Sequence, residues 1–551
     1  MEDSHRKFRD EMASIRPGND ENGHTSPNSH EDISFEPPEK ITLEEAIEHV
    51  GGWNKFQVLP ITMIATMWIG GSIFFYGYAF SSKKSDYECH NPLAHEWYSC
   101  EREEACSDHM EYRINHHHDE WTLTDEYDMY CDDRTYFGIL GAASLAGSML
   151  IGYPLTHVAD RMGRRWVMVR GMMVFFLLAA AVLAFAAYSR VLLVMLSFMI
   201  VGFFAGSNLS GCSLLVEFIS PQYRQTAIAL LSCLDGLALI LLLGLVLVKN
   251  HWQYIFGLSY IVILCGGLML YYTPESPRFL LTVLKDQRGA RAIFERIAIT
   301  NGRPMFTAEL YVPELEDQQT GSNRQGLTDL WMSSKYRTRL LICAGCWFVC
   351  GFSYYIIQFD IPNISDEAES VYRDAALIGG AEMLGNGLPL ILTPWVSRPR
   401  QMFLYYGTTA LGAVLYAMVA EEDDETGIAY ICVSRIGISG AYTIVYTMAT
   451  ELFPTTVRVV GLGICFIAAR IGATAAPLVV ELYRDEHNPY PPVIALCLVQ
   501  AILVLWLPDT SKEPLEDAIV KEGHFFGPLK NDSLLGPDED ENECNPLLGC
   551  Q

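Results

Sequence analysis

Among the ionisable residues inside long apolar stretches, where charge is costly and therefore informative, three are taken as candidates. Arg470 lies in Ala468-Ala-Arg-Ile-Gly472, twelve residues past Arg458. At ~1.5 Å per residue that is ~18 Å along a helix, near the middle of a bilayer. An arginine there costs roughly 2.5–3.5 kcal/mol even on the lenient insertion scale, so it must face water or a partner. A guanidinium so placed suits a carboxylate, sulfate or phosphonate held by paired hydrogen bonds. Asp235 lies eleven residues past Arg224 in an earlier stretch, at nearly the same depth. Three roles are open to it: an ion pair with Arg470 that an anionic ligand displaces, a proton site, or one pole of a site for a zwitterion. A purely structural pair is the plain alternative. Glu382 is a weaker third candidate. Trp347, Phe352, Tyr354, Tyr355, Tyr442 and Tyr446 are candidate walls of the same cavity, offering flat apolar surface with a few polar anchors. Packing or lipid contact is the commoner use of any one aromatic.

The stretches that carry these residues are membrane helices. Half of the 551 residues are hydrophobic and 19% are charged, below the ~25% of an ordinary soluble protein. Blocks of about twenty apolar residues, the length a ~30 Å hydrocarbon core requires, fall near 56–80, 134–158, 167–187, 191–216, 226–248 and 252–272. After a polar interval they recur near 339–359, 371–396, 401–420, 427–450, 457–481 and 490–507. The expectation is an all-α membrane protein of twelve helices in two groups of six. Its divisions are a tail over 1–55, a first half over 56–272 with a long loop at 81–133, a linker over 273–338, a second half over 339–508 and a tail over 509–551. The linker contains a helix near 285–299, packed under the bundle. Acids outnumber bases 65 to 38, which argues against a nucleic-acid partner. Neither a phosphate-binding loop nor a catalytic triad context is present, so the chain reads as no enzyme, with no cofactor.

Basic residues fall on one side of the spans. Arg161, Arg164 and Arg165 follow the second, Arg224 the fourth, Arg398 and Arg400 the eighth, and Arg458 the tenth, while Glu421 to Glu425 lies opposite. The positive-inside rule places both termini in the cytoplasm. The loop 81–133 is then outside, and Cys89, Cys100, Cys106 and Cys131 are expected to form two disulfides, with three pairings open. His116, His117 and His118 in that loop read as solvated, without a metal. Cys343 and Cys346 share a redox or zinc spacing, yet they sit in an apolar span without a second pair, and packing is the better reading.

An internal repeat ties the halves together. Glu217-Phe-Ile-Ser-Pro-Gln-Tyr-Arg224 and Glu451-Leu-Phe-Pro-Thr-Thr-Val-Arg458 both place Glu seven residues before Arg at a helix end. Such repeats characterise secondary transporters with a site between halves. Asp160-Arg-Met-Gly-Arg-Arg165 resembles the signature loop of the major facilitator superfamily, and Pro274-Glu-Ser-Pro-Arg278 resembles its sugar-porter and organic-ion branches. Within it, the chain resembles the organic cation/anion/carnitine transporter family, solute carrier family 22. That likeness rests on Glu48 to Gln57, on the cysteine-bearing loop ending Glu126-Tyr-Asp-Met-Tyr-Cys131, and on Trp347 to Tyr355. The resemblance implies a facilitator fold and a gating network of Asp160, Arg161, Arg164, Arg165, Glu217, Arg224, Glu275, Arg278, Glu451 and Arg458. It also makes Arg470 similar to the arginine of organic-anion members, where cation members carry an acid.

Two departures stand out. Thr156 replaces the family's usual glycine, and the second copy of the signature loop is reduced to Ser397-Arg-Pro-Arg400, without its acid. Gly387 and Ile391 stand where cation carriers have an acid and anion carriers often a lysine. The expected function is secondary transport of small organic ions, anions preferred. Alternatives are a cation or carnitine-like zwitterion carrier using Asp235, and a non-transporting sensor or scaffold. A proton or counter-ion is a further expected partner. The plasma membrane is the first expected location, with an endolysosomal or vesicular membrane second, because Glu543 to Leu548 fits an acidic sorting signal with adaptors at Leu547 and Leu548.

Overall fold

The computed structural model describes residues 40–509 except 82–85, 92–95, 101, 108–109, 116–120, 128–130, 132–134, 186–188, 248–250, 305, 307, 312–326, 362–367, 420–423, 454–456 and 484–487. The expectations at His116 to His118, Glu421 to Asp423, Leu547 and Leu548 lie outside the described residues. By its contacts the chain divides into Met1–Lys40 with Thr307–Glu309, and Ile41–Phe306 with Leu310–Gln551. The helices below all belong to the second unit.

A short α1 (Leu43–His49) is started by Thr42, whose hydroxyl accepts from Glu45 N while the Glu45 side chain accepts from Thr42 N. Then come α2 (Lys55–Ser81), α3 (Thr135–Gly147), α4 (Tyr153–Met162), α5 (Arg164–Phe185), α6 (Arg190–Val216), α7 (Pro221–Val246) and α8 (Trp252–Met269). The linker contributes α9 (Gln287–Asn301), and the second half comprises α10 (Ser334–Asp360), α11 (Ala368–Leu392), α12 (Arg398–Val419), α13 (Asp424–Leu452), α14 (Arg458–Leu482) and α15 (Pro491–Val504). A π-helical turn at Ser148–Gly152 joins α3 and α4 into one span. It lies where Gly147 meets α6 so closely that a methyl group would strike the Phe198 carbonyl.

Among the described residues ten helices are long and apolar enough to cross a membrane. The two other expected spans are α12, whose first turn is Arg398-Pro-Arg-Gln401, and α15, a shorter apolar helix. Most spans are apolar around their whole circumference, as a lipid surface requires. Leu177 is 72% exposed and Ile502 61%, which water would oppose and lipid accommodates. Exposed Tyr271, Tyr272, Trp331, Trp395 and Trp506 all flank helix ends opposite the disulfide loop, an interfacial aromatic belt.

Pairings repeat between the halves. The α5·α6 contact has its counterpart in α12·α13, α3·α6 in α11·α13, and α2·α8 in α10·α15. Across the halves, α3 packs on α14 and α7 on α11. The loop forms a three-stranded sheet from β1 (Asp86–Asn91), β2 (Glu96–Cys100) and β3 (Tyr112–Asn115), in the order β2-β1-β3. Of the three pairings left open, the structure forms Cys89–Cys100 and Cys106–Cys131. Glu126 accepts from the indoles of Trp121 and Trp252, tying the loop to the start of α8. Cys343 and Cys346 are buried free thiols.

The linker helix α9 is held by one side chain. Asn301 Oδ1 accepts from Phe56 N at 2.8 Å, and its Nδ2 donates to the Val50 and Gly51 carbonyls at 2.8 and 2.9 Å. Phe294, Ile297 and Ala298 bury the same face. Gly302 ends the helix with a positive φ of 67°.

Candidate substrate site and gating network

At the end opposite the disulfide loop, Arg164 reaches Asp160 at 3.2 Å and Glu217 at 3.0 Å. Glu275 accepts from the backbone N–H groups of Arg164 and Arg165, capping the half-buried N-terminus of α5. Burial pushes the Glu217 carboxyl above the usual carboxylate range, against the pull of Arg164. Glu217 and Arg224 do not pair with each other. Arg224 donates to the Val216 and Ile219 carbonyls and pairs with Glu44, and Arg458 donates to the Phe453 carbonyl. Both arginines therefore close the C-terminal end of the preceding helix.

The reduced second loop still supplies a charged contact. Arg398 pairs with Glu451, and residues 398 and 451 have the same spacing as 164 and 217. One ion pair thus survives at equivalent places in both halves, although the second loop lacks its acid. From sequence Arg398 reads only as a charge that sets topology, because the loop around it lacks the family's acid.

At the centre, Arg435 on α13 and Glu382 on α11 form a fully buried pair at 2.8 Å, each 0% exposed. Tyr76 on α2 donates to Glu382 Oε2 at 2.5 Å and accepts from Arg435 Nη2 at 2.8 Å. Tyr354 on α10 donates to Glu382 Oε1 at 2.6 Å, and its ring lies 3.9 Å from the Arg435 guanidinium carbon. A first-half helix is thereby hydrogen-bonded to three second-half helices. Arg435 escapes the sequence reading, although the rule that singles out Arg470 applies equally to a lone cation in Ser434-Arg-Ile-Gly437.

Asp235 and Arg470 form no ion pair, contrary to the first of the three expected roles. Asp235 Oδ1 accepts from Trp68 Nε1 at 2.7 Å and from Ser72 Oγ, both on α2. Its charged neighbours are Glu382 and Arg435. Counting residues gives depth along a helix but not the direction a side chain takes around it, and these two point into different surroundings. Arg470 is half-buried, faces the phenols of Tyr355, Tyr442 and Tyr446, and lies 4.8 Å over the Phe466 ring. Its Nε is sealed from solvent without an acceptor, as is Trp347 Nε1. Trp347 packs against Tyr446 at 4.4 Å and Phe466 at 6.3 Å, so both orphaned donors belong to one aromatic group. Tyr354 joins it through Tyr442 at 5.6 Å. Phe352 is brought against Phe348 instead.

The halves also meet toward the disulfide-loop end. Tyr78 packs on Phe359, Phe80 on Tyr372 and Phe75 on Tyr355. Gly138 of α3 faces Glu481 of α14, with no room between them for more than a β-carbon.

The family model described as Major Facilitator Superfamily matches residues 121–477. The chain belongs to the major facilitator superfamily. Within it, the chain is similar to solute carrier family 22 member 13 of Homo sapiens, 27% identical over 77% of this chain and 75% of that one. It is 24% identical to organic anion transporter 3 of Mus musculus over 92% and 99%, and 25% identical to solute carrier family 22 member 1 of Oryctolagus cuniculus over 76% of each. Among solved structures, the partially occluded, inward-open xylose transporter XylE of E. coli matches at a TM-score of 0.58 and 15% identity, covering 83% of this chain and 99% of that one. The fold is thus the facilitator fold. This superfamily member is a multi-pass membrane protein and a secondary transporter of small substrates, not an enzyme.

Proposed function

We propose that the chain carries small organic anions by alternating access, with Arg470 as the anchor for the negative group. The carrying observation is a half-buried guanidinium that has no carboxylate partner among the described residues and an Nε without an acceptor. A buried donor without an acceptor is a cost that a ligand oxygen removes. Trp347 Nε1 is a second such donor in the same aromatic group, and Tyr355, Tyr442 and Tyr446 offer ring faces to an aromatic body. The name of the mouse organic anion transporter agrees with this chemistry.

The ion pairs Arg164–Glu217 and Arg398–Glu451 stiffen each half at one end, while the Tyr76 cluster and the aromatic pairs join the halves nearer the other. Rocking about the centre breaks and remakes the contacts that join the halves and leaves the pairs within each half in place. In this reading both termini are cytoplasmic and the protein works at the plasma membrane.

Uptake of a broad panel of radiolabelled anions, cations and zwitterions into reconstituted vesicles tests the reading. Loss of a charge-assisted contact costs about 1.5–3 kcal/mol, so Arg470→Gln should weaken anion uptake by roughly 10- to 100-fold. Wild-type flux of cations alone, with Arg470→Gln unaffected, would overturn it.

A further inference from the structure

We propose that Asp235 is a proton-binding site whose occupancy sets the affinity of the anion site at Arg470, so that proton and anion move together. This rests on Arg470 being the anion anchor. Asp235 precedes Gly236, whose missing side chain lets α7 lie against the Gly379 carbonyl of α11. That approach brings Asp235, Glu382 and Arg435 into one another's fields. Glu382 is closed and saturated: its two oxygens accept from Tyr354, Tyr76 and Arg435. Glu382 and Arg435 therefore cancel, and the Asp235 charge is left over.

The donors to Asp235 are neutral, and both fall on Oδ1. Among the described residues no donor reaches Oδ2, and the side chain is half-buried rather than closed. The ionisable groups facing it are Cys233 on α7, Tyr76 on α2, Tyr354 and Tyr355 on α10, Glu382 on α11 and Arg435 on α13. Arg435 is the one cation in that set, and Glu382 holds it. A partly desolvated carboxylate beside a second carboxylate, without a cation of its own, is relieved by taking a proton on Oδ2. Sodium fits less well, because the Trp68 N–H stands where a metal would need an oxygen ligand.

Tyr355 lies in the fields of both Asp235 and Arg470 and so stands between the two sites. An ionised Asp235 opposes an anion at Arg470, and protonation of Oδ2 removes that opposition. One proton is bound and no other bond changes, so a singly charged anion crosses with a proton as a neutral sum. By linkage the anion raises the proton affinity by the same factor, of order 5- to 150-fold for coupled sites.

The test uses the purified full chain and p-toluenesulfonate, whose charge does not change with pH. Binding should weaken by about tenfold from acid to mildly alkaline pH, with an infrared signal of a protonated carboxyl disappearing over the same interval. Asp235→Asn should bind with the acid-limb affinity at every pH and lose that infrared signal, whereas Asp235→Glu should keep both dependences with a displaced midpoint. In vesicles, an inward proton gradient should drive uptake in the wild type and not in Asp235→Asn. The proposal is overturned if Asp235→Asn keeps the wild-type pH dependence or the carboxyl signal, or if a sodium gradient replaces the proton gradient. Absence of p-toluenesulfonate binding at every pH, with the Asp235 carboxyl signal intact, would instead remove the anion reading and leave the proton site standing.

Discussion

Arg435 and Arg470 are two arginines in apolar helices with different partners. Arg435 is held by Glu382, Tyr76 and the Tyr354 carbonyl, while Arg470 has no carboxylate partner among the described residues; the Nε of each lacks an acceptor. Their substitutions should therefore act on different properties. Arg435→Met leaves Glu382 buried without its counter-charge, and breaking a buried pair costs about 3–5 kcal/mol. A large drop in the melting temperature of the detergent-purified protein is expected, with much of it restored in the double variant Arg435→Met/Glu382→Gln. Arg470→Gln should leave melting nearly unchanged. Equal destabilisation by the two single changes would mark Arg470 as structural.

At the scale of elements, α9 is fastened to the entrance of α2 chiefly through Asn301. Its side chain satisfies one backbone donor and two acceptors that are otherwise buried. Asn301→Ala removes all three bonds, and at about 1 kcal/mol each the loss should be about 2–3 kcal/mol. Limited proteolysis of the linker should accelerate in that variant, whereas a change at exposed Arg288 should leave it unaltered. The sequence places this helix within two residues because Ala, Ile and Phe recur at helical spacing. It does not show that Asn301 faces inward, since an asparagine at a helix end reads as a solvated cap until its partners are known.

For the whole molecule, the meeting of α3 and α14 near the disulfide loop is a contact that the proposed alternating access must break. A β-carbon built on Gly138 would stand 3.4 Å from Glu481 Cβ, close to the ~3.5–4.5 Å of a disulfide. The pair Gly138→Cys/Glu481→Cys should therefore crosslink on mild oxidation and arrest uptake, with flux returning on reduction. Unimpaired uptake by the fully crosslinked protein would mean that these helices do not separate during the cycle.

Lipid solvation makes much of this molecule readable from one dimension. A helix must satisfy its own backbone and present apolar residues to hydrocarbon, so span number, order and approximate ends follow from composition, and the Glu/Arg repeat reveals two related halves. Cost also makes intramembrane charges conspicuous, which is how Arg470, Asp235 and Glu382 stand out. What they bond to is set by rotation about each helix axis and by which helices become neighbours. Close approach of α7 to α11 gives Asp235 the company of Glu382, and packing of α13 against α11 gives Glu382 its arginine. The same geometry leaves Arg470 among phenols. Depth is a property of position in the chain, whereas partnership depends on azimuth and neighbours, and those exist only once the bundle has closed.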